Sequence, residues 1–142
     1  MSDTLIDSLV ELHGEGGLAP SREDWSEIMT IEGRVPLLNL LKFRPQLETD
    51  TGPVSGEQAY NQYTIQAGPA FVRAGGELLF FGAARHIFGS GVDTSWDAAI
   101  LNRYPSAKAL ADMWLDPVFI EAHRNRLDSL ERSQVLIFND RA

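Results

Sequence analysis

No cysteine occurs among the 142 residues. Its absence excludes disulfides, thiolate metal sites and a thiol nucleophile, and it fits a reducing, cytoplasmic setting. Positive charge is scarce too: 12 lysines and arginines stand against 20 aspartates and glutamates, a formal net charge of −8. Such a field repels phosphate backbones and acidic lipid, and no basic stripe with interleaved aromatics runs through the chain, which argues against nucleic acid and membrane surfaces as partners. No run approaches the roughly 18 apolar residues of a membrane span, and the start of the chain lacks a cationic region followed by an apolar stretch. Histidine is equally sparse. His13, His86 and His123 lie far apart with no ligand spacing between them, so no metal is expected. No glycine-rich phosphate loop follows a strand and no G-x-S-x-G elbow occurs, and no cofactor is expected.

What is present is the composition of a soluble globular domain, 44% hydrophobic and 23% charged, in a chain long enough to bury a core. Its centre is V-P-L-L-N-L-L-K-F-R-P at 35–45. Taken alternately, Val35, Leu37, Leu41 and Phe43 face one side of a strand and Leu38 and Leu40 the other, so neither side is made for water. Asn39 in mid-run requires a hydrogen-bond partner inside the protein.

Residues 1–34 read as a helical arm, too short to own a core. Ser2 can cap a helix over 3–13 with Leu5, Ile6, Leu9, Val10 and Leu12 in a stripe, and Ser21 with Asp24 opens a second helix carrying Trp25, Ile28 and Met29. Residues 35–142 form the main domain. After a polar loop at 48–56, Tyr60, Tyr63, Ala67, Ala70, Phe71 and Ala74 recur at helical spacing, with Gly75-Gly76 as a stop. A strand is expected over 77–88, a turn through Gly89, Ser90, Gly91 and Asp93, and a strand over 96–104. A helix capped by Ser106 follows, then another opened by Asp116-Pro117 that carries Phe119, Ile120, His123, Leu127 and Leu130 inward. Residues 135–139 make a short last strand. The order β-α-β-β-α-β is the split βαβ arrangement: an α+β, ferredoxin-like fold with a four-stranded antiparallel sheet. Its second face, also apolar, predicts a homodimer through the sheet.

Certain residues also carry a resemblance: N-L-L-K-F-R at 39–44, Tyr60 with Tyr63, A-G-P at 67–69, Gly75-Gly76, Trp96-Asp97, R-Y-P-S at 103–106, D-P-V-F at 116–119 and His123-Arg124. In order and spacing the chain resembles the family of unknown function numbered 1330, within the dimeric α/β-barrel superfamily. The resemblance spans 35–140 and leaves the arm aside. It implies a ferredoxin-like subunit dimerising through its sheet and no settled activity, since related branches include cofactor-free monooxygenases, haem enzymes and lyases.

Two candidate sites follow. With the first and third core strands taken as adjacent and parallel, Lys42, Arg44 and Arg103 gather at one end of the sheet beside helix N-termini and favour a small anion; the alternative is that they are strand ends paired with acids. Between helices and sheet, Asn39, Tyr60, Tyr63, Trp96 and His123 line an apolar pocket with a few polar groups, in which His123, Tyr60 and Tyr63 are the catalytic candidates. A histidine packed for structure alone is the plainer reading of His123. Arg124 either contacts ligand or pairs with Asp97 or Glu121. The functional expectation is a small-molecule-binding homodimer, acting without cofactor on a small anionic organic substrate; a non-catalytic binding or interaction module is the alternative.

Overall fold

The computed structural model describes residues 2–92 and 94–141, the side chain of Ser2 excepted. The expected Ser2 cap and the turn residue Asp93 lie outside what is described. In chain order the elements are α1 (Ser2–His13), α2 (Arg22–Ile28), β1 (Val35–Phe43), β2 (Leu47–Thr49), β3 (Gly52–Val54), α3 (Gly56–Arg73), β4 (Glu77–Ala83), β5 (Ala98–Tyr104), α4 (Ala107–Leu115), α5 (Pro117–Ser129) and β6 (Leu130–Ile137).

The main sheet has the order β4-β5-β1-β6 with every neighbouring pair antiparallel. Since β1 and β4 both run against β5, they are parallel to each other with β5 inserted between them, and the fold is ferredoxin-like. β1 is central. The alternation read from its sequence holds: Val35, Leu37, Asn39 and Leu41 are buried on the helix side, while Leu38 pairs with Leu101 and Leu136 on the other side.

Local chemistry sets the helix ends. Ser55 and Gln58 form a reciprocal capping box at the start of α3. Its stop at Ala74 is followed by Gly75 at φ 76°, a left-handed turn that favours glycine. Asp116 closes α4 and caps α5 through the Val118 N–H at 2.9 Å, and its carboxylate also holds Arg73, so one acid joins three helices. That carboxyl sits below its ordinary range: partial burial pushes it up, but the Val118 N–H and the Arg73 guanidinium together outweigh this.

The arm is part of the packing. Ile6, Leu9, Trp25 and Ile28 are buried with Val35, Leu110, Ala111 and Phe119, and His13 Nε2 lies 2.7 Å from the Trp114 carbonyl oxygen.

Several boundaries differ from expectation. β4 ends at Ala83, not at Phe88, and β5 begins at Ala98, not at Trp96. The reason is Asp97. Its backbone still pairs, its N–H donating to Leu41 O and its carbonyl accepting the Ala84 N–H at 2.7 Å each, but its carboxylate takes the Phe43 N–H at 2.8 Å, so the backbone ladder goes no further. Beyond Ala84 the connection leaves the sheet, and Phe88 is 96% exposed. The stretch expected as a plain loop at 48–56 contains the small hairpin β2–β3. β6 starts at Leu130, directly from the end of α5, and not at Val135. On α5 the inward row is Phe119, Ala122, His123, Arg126 and Ser129, while Leu127, expected inside, is 38% exposed.

Candidate ligand cavity

Between the inner face of the sheet and α3, α4, α5 and the arm lies a cavity of about 810 Å³. That is the size of a pocket that encloses a small organic ligand. Most of the wall is apolar, with Trp25, Ile28, Phe71, Met113, Trp114 and Phe119 among its residues. Its polar groups converge from different elements: Asn39 from β1, Tyr60 and Tyr63 from α3, Asn102 and Tyr104 from β5, Arg126 from α5 and Ser133 from β6.

Arg126 is the centre of this set. It is 5% exposed, and its Nη2 donates to Asn39 Oδ1 and to Ser133 Oγ, each at 3.3 Å. These are long bonds to neutral oxygens. Among the described residues no carboxylate forms an ion pair with it. Taking a guanidinium out of water costs several kcal/mol, roughly, unless an opposite charge or a full set of acceptors compensates it. The demand of Asn39 for a partner inside the sheet is thus met by a cation that itself lacks an anion.

The tyrosines answer to the same charge. Burial pushes the Tyr60 phenol up, and nearby Arg126 pulls against that shift. Burial likewise raises Tyr63 and Tyr104 far above the ordinary phenol range, each lifted further by neighbouring Tyr60 and opposed by Arg126. All three remain neutral phenols able to donate. The rings of Tyr60 and Tyr63 meet edge-on at 5.2 Å.

His123 stands behind this wall and is not among the residues that line the cavity. It is stacked on Phe119 at 5.0 Å and flanked by Trp114 at 4.7 Å and His13 at 5.6 Å, and its Nδ1 has no hydrogen-bond partner among the described residues. Burial pushes its pKa down to about 3, with the Arg126 and His13 charges adding to the fall. It is a neutral, packed imidazole whose edge is 6.5 Å in ring-centre distance from Tyr63.

The cationic cluster expected at one end of the sheet does not form. β1 and β5 are antiparallel, with Pro36 opposite Arg103 and Leu41 opposite Ala98, so Lys42 and Arg44 leave one end and Arg103 the other. In a split βαβ unit the inserted strand must oppose its neighbours, which is the physical reason. Lys42 pairs with Asp97 at 3.2 Å, and Arg103 pairs with Glu77 at 3.2 Å and lies 3.7 Å from Asp140. Arg44 donates to the Leu130 carbonyl at 3.2 Å. Trp96 is absent from the cavity lining and carries the Arg132 guanidinium over its ring at 4.7 Å. Arg124 is exposed, and no ion pair with Asp97 or Glu121 forms among the described residues. Of the expected pocket residues, the structure brings together Asn39, Tyr60 and Tyr63, and it adds Arg126, Ser133, Asn102 and Tyr104.

Comparison with known proteins places this geometry among unexplained relatives. No protein-family model matches the chain, and no curated protein does. Among solved structures, a protein of unknown function from Rhodopseudomonas palustris superposes with a TM-score of 0.79 at 28% identity, covering 90% of this chain and 99% of its own. A dimeric protein of unknown function with a ferredoxin-like fold from Bacteroides fragilis matches with a TM-score of 0.50 at 10% identity, over 75% of this chain and 96% of its own. A candidate antibiotic biosynthesis monooxygenase from Caulobacter crescentus gives 0.52 at 13%, over 78% and 92%. The latter two likenesses are of fold alone.

Proposed function

We propose that this chain is the subunit of a homodimer that binds a small anionic organic molecule in the cavity and acts on it without a cofactor. The observation that carries this reading is Arg126, a buried guanidinium in a cavity wall with neutral oxygens for partners and no carboxylate paired to it among the described residues. A carboxylate, enolate or phenolate seated against it supplies the missing charge, and a bidentate arrangement suits the planar fork. Tyr60 stands beside the guanidinium as a neutral phenol, so a second donor is aimed at the same oxyanion. Stabilising a developing oxyanion in a water-poor cavity is the catalytic contribution such donors make.

A second reading, binding without turnover, is favoured by one specific observation. Tyr60, Tyr63 and Tyr104 all have their phenols pushed up, and His123 sits behind the wall with its pKa pushed down. Beside Arg126 the described lining therefore offers donors and a cation but no base, its two carboxylates, Asp24 and Glu27, being exposed on α2. The dimer belongs to both readings. The outer face of the sheet carries Leu38, Leu40, Leu101, Phe80 and Leu136, and a second identical face is its simplest cover.

Calorimetric titration with small carboxylic acids and phenols tests the site. Saturable binding that disappears in Arg126→Met supports it. Equal binding by protein and variant removes Arg126 from the site. Product formation from a bound compound under air then separates catalysis from binding.

A further inference from the structure

The wall of the cavity sorts its charges by position. Arg126 is the one cation in the described lining, and it is buried between α5, β1 and β6. The other charged lining residues, Asp24 and Glu27, are both acidic, both exposed, and both on α2. Between these extremes the wall is apolar and aromatic, with Ile28 and Ile31 from the arm side, Leu110 and Met113 from α4, and Phe71 from α3. Ring contacts run continuously along it, from Trp25 to Trp114 at 5.5 Å, Trp114 to Phe119 at 5.1 Å, Phe119 to Tyr63 at 6.3 Å and Tyr63 to Tyr60 at 5.2 Å. The space of about 810 Å³ is far larger than an acetate- or benzoate-sized anion fills.

Resting on the anion site proposed above, we infer that the substrate class is an amphiphilic monoanion: one acidic group at Arg126, a long apolar body, and a far end without negative charge. Two physical reasons define the class. Burial of apolar surface rewards each added methylene until the cavity is full. A second anionic group at the far end would leave water to face Asp24 and Glu27 with no cation in the lining to receive it. Dicarboxylates are therefore selected against by the same wall that accepts a fatty or arylalkyl monocarboxylate.

The test uses straight-chain monocarboxylates from butanoate to dodecanoate, each kept below its micelle concentration, and the dicarboxylates of matching length. Binding is measured by calorimetry on the whole protein. Affinity is expected to rise about threefold per methylene up to a plateau. Each long dicarboxylate is expected to bind about tenfold or more weakly than its monocarboxylate, and Glu27→Gln should narrow that gap. Short and long acids binding alike, or dicarboxylates matching monocarboxylates, would overturn the amphiphile class. If Arg126→Met still abolishes binding of the short acids in that case, the anion site survives and only this inference falls. Absence of binding by every monocarboxylate, or affinities across the whole series that are unchanged in Arg126→Met, would remove the anion site and the inference with it. The ligand series on the unmodified protein decides the class even where a variant fails to fold.

Discussion

On the inner face of the sheet, Val35, Leu37 and Leu41 are covered by helices and the arm, and Asn39 between them reaches a buried cation. On the outer face, Leu38 and Leu40 of the same strand lie beside Leu101 and Leu136, with Phe80 56% exposed and no helix over them among the described residues. Neighbouring positions of one strand thus meet different needs. The inner face has polar groups whose charge is unbalanced, which a ligand can complete. The outer face has no charge to balance in its middle, where Gln134 opposite Leu40 is polar and the rest is apolar area, which an identical face can cover. Which need a residue serves is decided by its parity along β1.

The largest expected effect lies on the outer face. Leu38→Asp places a carboxylate in the middle of the proposed subunit contact twice over, once from each copy, and should weaken the dimer by at least about 3 kcal/mol. Sedimentation should then find monomer where the unmodified protein is dimeric. A stable monomer at micromolar concentration in the unmodified protein would break the comparison, because the outer face would need no cover.

On the inner face, Arg126→Met should lower carboxylate affinity by about 1.5–3 kcal/mol through loss of a charge-assisted hydrogen bond. The same change removes an incompletely compensated buried charge, so the ligand-free melting temperature should stay level or rise. Loss of binding together with a raised melting temperature is the signature of a residue kept for a ligand. A large fall in melting temperature would make Arg126 structural.

A pH titration sharpens the picture behind the cavity wall. The His123 pKa is about 3 in the folded protein against about 6.5 in the unfolded chain, so between those values the unfolded chain holds the extra proton. Stability is therefore fully present above pH 6.5 and falls on acidification towards pH 3, by up to about 1.4 kcal/mol per pH unit from this one group. His123→Phe should flatten that fall above the carboxylate range, as read by melting temperature against pH.

The smallest effect belongs to the paired cations. Arg103→Met breaks a contact with Glu77, whose side chain is 51% exposed, and should leave the melting temperature nearly unchanged and ligand affinity unchanged. A change in affinity comparable to that of Arg126→Met would show that the Arg103 end of β5 is coupled to the cavity.

Much of this was legible in the chain itself, for reasons that can be named. The alternation around Asn39 divided β1 into two apolar sets because side chains alternate with a period of two, but with both faces apolar it left open which set meets the helices. Ser55, Asp116-Pro117 and Gly75 marked helix ends through local hydrogen bonding that needs no tertiary partner. Arg126 was not found because a charged residue on a helix reads as solvent-facing, and Leu127 beside it offered an equally periodic apolar row. Asn39 pointed to a buried donor without saying which residue supplies it. His123 was placed correctly on the inner row, but its isolation from the cavity depends on Trp114 and Phe119 packing against it, which no local pattern reveals. The site expected at the end of the sheet failed on strand direction, where a single sign error moved Arg103 to the opposite end.

The contact between His13 and the Trp114 carbonyl joins positions 101 residues apart, and the cavity draws its wall from Trp25 as well as from Ser133 and Ile137. The arm's stripe meets α2 locally, with Ile6 and Leu9 beside Trp25 and Ile28, but its burial is completed only by α4 and α5 far along the chain. No partial chain can assemble the binding site. Ligand binding is therefore a readout of completed folding, and a ligand present during synthesis stabilises only molecules that have reached the end of that path.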